Sequence, residues 1–207
     1  SFTTANGSQA NISGFAKGSG MIRPNMATLL AYVFADAKIE TPLLENFLDS
    51  AVSNSFNRIT VDGDTSTNDC CMLVATGKGS LVITDADSEA ARQFQSELNA
   101  VFEQLATDLI RDAEGASKFI TIEVNEGASE QECLAVAYTV AESPLVKTAF
   151  FASDPNWGRI LAAIGRAGLS DLDIESVTVA LGDTLLVSKG AVDAAYSERA
   201  GQSEMDK

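Results

Sequence analysis

The chain has 207 residues, 45% hydrophobic and 21% charged, which suits one sizeable core or at most two small domains. Fourteen basic against twenty-nine acidic side chains give a formal charge of −15 with no basic run, so nucleic acid and anionic membranes are poor partners. Histidine is absent, which removes every Ser-His and Cys-His relay.

Residues 1–14 are small and polar and read as a loop or weak edge strand. Phe15 to Ile22 and Thr28 to Phe34 read as extended segments bracketing a turn at Pro24. Thr41-Pro42 opens a helix, with Thr41 as the N-cap and Pro42 in the first helical position. Asp62 to Asp69 is a polar loop, and Cys71 to Ala75 follows as a short buried strand. From Asp87 the spacing of Phe94, Leu98, Val101, Phe102, Leu105, Leu109 and Ile110 predicts a long amphipathic helix, capped by Asp87 or Ser88. After a polar turn at Asp112 to Lys118, Phe119 to Val124 alternates like a strand. Ser129 to Ala141 and Ser143 to Phe150 read as helices, and Asp154 to Arg159 leads into the apolar run Ile160 to Ile164. Ile174 to Leu181 and Leu185 to Val187 form a hairpin about Gly182-Asp183, and the polar tail from Asp193 is expected to be marginally ordered. Long helices between short strands indicate an α/β (α+β) protein, with no long linker to mark a domain boundary.

Cys70, Cys71 and Cys133 lack both Cys-x-x-Cys spacing and a histidine partner, so no metal site is expected of them. Reduced thiols are the better reading, which favours a reducing compartment and hence the cytoplasm. No segment has the length of a membrane span, and no signal peptide is visible. Asp62, Asp64 and Asp69 resemble a calcium-type loop but lack the later bidentate Glu, and the surrounding hydroxyls suit a structural loop close to a site. Trp157 and Arg159 read as a packed anchor and a member of an ion pair.

The stretch that organises the chemistry is Lys17-Gly18-Ser19-Gly20-Met21-Ile22-Arg23-Pro24-Asn25-Met26-Ala27-Thr28-Leu29-Leu30. A Thr at the mouth of an extended segment, after a Gly- and Pro-shaped turn, suits an embedded nucleophile. A free Thr hydroxyl needs a base. Without histidine, one solution is the α-amine of Thr28 itself, released by cleavage of Ala27-Thr28 and titrating at about 7.7–8.0.

This stretch closely resembles the processing site of ornithine acetyltransferases, the glutamate N-acetyltransferase family of arginine biosynthesis. Phe56-Asn57 with Asp62 to Asp69, Asp112 to Lys118, Ser143 to Ala149 and Asp154 to Ile160 fit in the family's order, so the resemblance spans residues 14 to 168. It implies a precursor that cuts itself between Ala27 and Thr28. Thr28 then carries acetyl from N-acetylornithine to glutamate through an ester, with no metal and no organic cofactor; acetyl-CoA stays open as a further donor. Lys17 and Glu114 match substrate-binding residues, beside Thr28 itself. Residues 1–27 would be the end of the upstream fragment and 28–207 most of the downstream one, as one globular unit. The two fragments would assemble as a heterotetramer. The implied architecture is layered, helices over sheets, akin to self-processing N-terminal-nucleophile enzymes.

Two parts of the family pattern have no match. Its Thr-Gly oxyanion pair precedes the nucleophile, whereas Thr76-Gly77 here lies after it and takes no role by resemblance. A closing segment near the family's C-terminus is also without a match, and an internal portion of a longer precursor is the expectation. Two rival readings remain: an aminopeptidase or amidase using the same Thr28 chemistry, and a non-catalytic interaction module.

Overall fold

The computed structural model describes residues 1–23 and 29–207. Two packed units divide them, Ser1–Ala116 and Ser117–Lys207. The packing boundary falls between Ala116 and Ser117, downstream of the cleavage expected at Ala27-Thr28.

The first unit opens with a short hairpin of β1 (Phe2–Thr3) and β2 (Gln9–Ala10), followed by β3 (Ile12–Lys17) and β4 (Leu30–Ala35). β3 and β4 are antiparallel from Ile12↔Ala35 to Lys17↔Leu30. After β5 (Lys38–Ile39) comes α1 (Thr41–Ser53), and β6 (Cys70–Ala75) then returns parallel to β4, Leu30 opposite Cys70. α1 is the crossover that a parallel pair requires. β7 (Val82–Ile83) pairs with β5, and α2 (Glu89–Arg111) closes the unit.

α2 forms where the spacing predicts. Ser88 caps it, its hydroxyl accepting from the Ala91 N–H at 3.1 Å. Ala91, Phe94, Leu98, Phe102, Ala106 and Leu109 form its buried stripe. That stripe packs with Ala31, Val33 and Ala35 of β4 and with Phe47, Ala51 and Val52 of α1. The opposite face of the sheet stays open, with Phe15 stacked on Tyr32 at 5.4 Å and Met72 and Val74 exposed.

The second unit holds α3 (Glu130–Ala141), α4 (Pro144–Phe151) and α5 (Trp157–Gly165). A meander of β8 (Val179–Leu181), β9 (Thr184–Ser188) and β10 (Ala191–Val192) follows, then α6 (Glu198–Met205). Val136, Val140, Val146, Ile160, Ile164, Leu186 and Val187 make its core. Ser129, Ser143 and Asn156 cap the three central helices with their side chains.

The α/β class holds, and the departures from the sequence reading are local. β3 starts at Ile12 and ends at Lys17, so residues 18–22 are not strand. Glu40, not Thr41, is the N-cap of α1, without a side-chain bond, because Thr41 is already helical. β6 is half-buried on one face and exposed on the other. Phe119 to Val124 forms no strand: Ile122 and Val124 face the core, but alternation reports a buried face and not a ladder partner. The polar tail is ordered as α6, with Gly201 and Met205 buried. Arg159 donates to the Leu145 carbonyl (2.9 Å) and the Thr148 hydroxyl (3.0 Å), neutral acceptors that tie α5 to α4 where an ion pair was expected.

Phe94 is fully buried, with the rings of Phe47 and Phe2 at 5.2 and 6.4 Å. Phe94→Ala is expected to cost about 3–5 kcal/mol, read as a lower urea midpoint.

Candidate functional site

Lys17 is the last residue of β3 and pairs across the ladder with Leu30. Its side chain is exposed, on the sheet face that also carries Phe15. Leu30 stands two residues after Thr28 in the chain, so the ladder ties the cation to the strand that follows the expected nucleophile. Ala27 and Thr28 themselves, like the Pro24 turn, lie outside the described residues.

Glu114 reaches the same end of the unit from a different element. Past the last turn of α2, the chain makes a tight turn in which the Ala116 N–H donates to the Ala113 carbonyl at 3.0 Å. The third turn residue, Gly115, has φ +73°, a value that favours glycine. Ala113 is buried and anchors the turn, leaving Glu114 exposed at its corner. The Glu114 N–H donates to the Ser19 carbonyl at 3.1 Å. A Cβ on Gly20 would lie 3.8 Å from Glu114 Oε2, so the carboxylate borders the Gly18-Ser19-Gly20 element. A cation and a carboxylate drawn from residues 97 positions apart therefore flank one short stretch of backbone.

That stretch is held by a residue the sequence reading assigned only to a structural loop. The Asp62 carboxylate accepts from the N–H of Met21 (2.7 Å), Ile22 (3.0 Å) and Asp64 (3.0 Å). The Val61 N–H donates to the Ile22 carbonyl at 2.6 Å, and the Thr65 hydroxyl to the Arg23 carbonyl at 3.1 Å. Met21 sits at φ 53° although it carries a side chain. Left-handed backbone at such a residue costs about 1 kcal/mol or more and persists where its surroundings hold it. Ile22, fully buried, anchors the segment as well. The sequence signal was an Asp two residues before another Asp across a Gly, an ordinary Asx turn. Only the fold reveals that its carboxylate also reaches back some forty residues.

Asp69 ends the same loop, next to Cys70, whose N–H donates to the Leu29 carbonyl at 2.9 Å. Its Oδ2 is buried without a hydrogen-bond partner among the described residues, and burial pushes the carboxyl up from the usual range. Burial also pushes the Cys71 thiol up to about 12, with Cys70 beside it adding to the effect. All three cysteines are free thiols, and Cys71 is thereby kept in its unreactive form.

Thr76-Gly77 closes the far end of β6. The Thr76 N–H donates to the Ala35 carbonyl (2.8 Å) and the Gly77 N–H to the Ala37 carbonyl (3.0 Å). Both backbone donors are thus committed to carbonyls at the end of β4 and just beyond it. Among the described residues no group of His, Cys, Asp and Glu is arranged to hold a metal. The second unit carries an open cleft of about 570 Å³ lined by Asp154, Trp157, Tyr196 and Arg199. Its lining includes neither Lys17 nor Glu114.

The sequence profile of the ArgJ family matches residues 1–207. The chain belongs to the ArgJ family. It is 53% identical over 197 residues to the arginine biosynthesis bifunctional protein ArgJ of Pseudomonas fluorescens, covering 95% of this chain and 49% of that protein. With the protein of the same name from Methylococcus capsulatus it shares 55% over 194 residues, 94% of this chain and 48% of that one. The chain thus spans about half the length of the curated relatives it matches. The crystal structure of the Bacillus halodurans protein of that name is similar with a TM-score of 0.77 and 34% identity, over 86% of this chain and 82% of that one. No helix among the described residues is long and apolar enough to cross a membrane.

Asp69 gives the unit a pH signature. A carboxyl raised on folding above its ordinary 3.8 binds its proton more tightly when folded. Its stabilising contribution is full below that value and is lost as pH rises through the folded value. Asp69→Asn cannot ionise, so its stability relative to the parent is expected to improve between about pH 4 and pH 7. Urea midpoints at the two pH values check this; a constant difference would contradict it.

Proposed function

We propose that this chain contributes the processing segment and substrate-binding residues of an acetyltransferase of arginine biosynthesis, moving acetyl from N-acetylornithine to glutamate. The observation that carries the reading is the convergence of Lys17 and Glu114 on the backbone leading to Ala27-Thr28. One is tied to it by the Lys17↔Leu30 ladder pair, the other by the Glu114 N–H on the Ser19 carbonyl. An amino-acid substrate needs both signs of partner: Lys17 takes the carboxylate, Glu114 the ammonium.

In processing, the Thr28 hydroxyl oxygen attacks the Ala27 carbonyl, the C–N bond breaks, and an ester replaces the peptide. Water hydrolyses the ester, leaving an Ala27 carboxylate and a free Thr28 amine. In turnover that amine takes the hydroxyl proton as the oxygen attacks the acetyl carbonyl of N-acetylornithine. The proton passes to the departing nitrogen and ornithine leaves. The amine of glutamate then attacks the acetyl ester and regenerates the hydroxyl. Two half-reactions through one covalent intermediate give ping-pong kinetics. The six residue pairs between β3 and β4 supply contacts that keep the fragments together after the cut, in support of an assembly of both, expected as a heterotetramer. No metal or organic cofactor enters this scheme, and acetyl-CoA is an additional candidate donor.

Intact mass of the full-length gene product under denaturing conditions tests the first step. Two species summing to the chain plus one water, with the split at Ala27-Thr28, are expected, and one uncut species for Thr28→Ala. An uncut wild type sinks the mechanism. In steady-state assays Lys17→Ala is expected to raise the KM for N-acetylornithine about ten-fold, the loss of one charge-assisted contact. An unchanged KM would remove Lys17 from the site.

A further inference from the structure

The segment entering the processing site is bent at Met21, and Asp62 holds the bend. We propose that Asp62 is a positioning residue for self-cleavage: its carboxylate enforces the left-handed turn at Met21 and so sets the course of the chain at Ile22 and Arg23, ahead of Ala27-Thr28 in the sequence. The inference rests on the processing reading above and adds a residue outside the nucleophile and the substrate partners.

Three observations carry it. A single carboxylate accepts both the Met21 and the Ile22 N–H, and two successive amides converge on one acceptor group only when the backbone curls around it. Met21 adopts φ 53°, which a residue with a side chain reaches at a cost, and the paired amide bonds offset that cost. The same loop also grips the chain on either side of the scissile stretch. Upstream, the Thr65 hydroxyl binds the Arg23 carbonyl; downstream, the Cys70 N–H binds the Leu29 carbonyl. Residues 61–70 thus fix both ends of the short span that contains Ala27-Thr28. Intramolecular attack depends steeply on the approach of the reacting atoms, and fixing the ends of a short span limits its conformers.

The charge matters as well as the shape. A carboxylate accepts from backbone N–H groups more strongly than a neutral amide oxygen does, and Asp64 adds a third donor that orients it. Asp62→Asn keeps the size but weakens the grip and presents an NH₂ group to one of the two amides. Met21→Gly has the opposite effect, since glycine occupies positive φ without the steric cost and needs no clamp to hold it there.

The test follows cleavage with time after synthesis of the full-length protein is stopped, read by intact mass, for wild type, Asp62→Asn, and Asp62→Asn combined with Met21→Gly. Asp62→Asn is expected to lengthen the half-time of processing about ten-fold or more, and the double variant to recover to within about three-fold of wild type. Urea midpoints of the three proteins, each also carrying Thr28→Ala so that it stays uncut, separate positioning from stability: a rate that recovers without its midpoint supports the clamp, and a rate that only follows the midpoint overturns it. Asp62→Asn cutting as fast as wild type overturns the proposal, and so does a double variant no faster than the single one. If Asp62→Asn does not accumulate folded, Thr65→Val decides. It removes one exposed hydroxyl from the Arg23 carbonyl, and about three-fold slowing supports the clamp while an unchanged half-time overturns it. A wild type that never cuts is a separate result and counts against the processing reading itself.

Discussion

The packing of α2 along β3 is the contact on which the candidate site depends. At Gly14 a Cβ would lie 2.9 Å from Val33 Cγ2 of the paired strand β4 and 3.2 Å from Leu105 Cδ1 of α2. A side chain there would crowd both the neighbouring strand and the helix. From that contact both elements run toward the same end of the unit, β3 to Lys17 and Ser19, α2 to the turn that carries Glu114. The Glu114–Ser19 bond is therefore a consequence of core packing rather than of any local motif. Phe94, Leu98 and Phe102, all fully buried, supply the apolar burial that holds the helix down.

Parallel pairing of β6 with β4 is the second constraint. Because the two strands run in the same direction, the loop that precedes β6 arrives at the end where β4 begins. That places Asp62 and Asp69 next to the chain that enters β4, and Thr76-Gly77 at the opposite end. One loop then carries two carboxylates in different surroundings. Asp62 is saturated with backbone donors, whereas Asp69 buries an oxygen without a partner among the described residues and is held toward its protonated form. Their environments differ although their sequence setting is alike.

Much of this was legible in the residues. The absence of histidine, the excess of acidic side chains and the nucleophile-bearing stretch are properties of composition and order. The helices from Ser88, Ser129 and Ser143 follow from capping residues and a 3.6-residue period, which act within a few residues of each other. The hairpin about Gly182-Asp183 is local in the same sense. Order in the tail was missed because α6 is polar by composition and is held by two buried points, Gly201 and Met205, against distant partners. The strand expected at Phe119 to Val124 failed for the complementary reason: its alternation is real, but a ladder needs a second strand that the local sequence does not specify.

By itself, then, the sequence determined the α/β class, the helix starts, the family, and which residue types are available for chemistry, since these depend on local periodicity, capping and composition. Only the tertiary structure decided that Glu114 meets Ser19, that Asp62 grips Met21 and Ile22 from forty residues away, and that Thr76-Gly77 spends its donors on carbonyls at the end of β4 and just beyond it. Those outcomes turn on strand direction, register and the closeness of one helix to one glycine. Each is fixed by burial summed over the whole unit, and no short window of residues contains it.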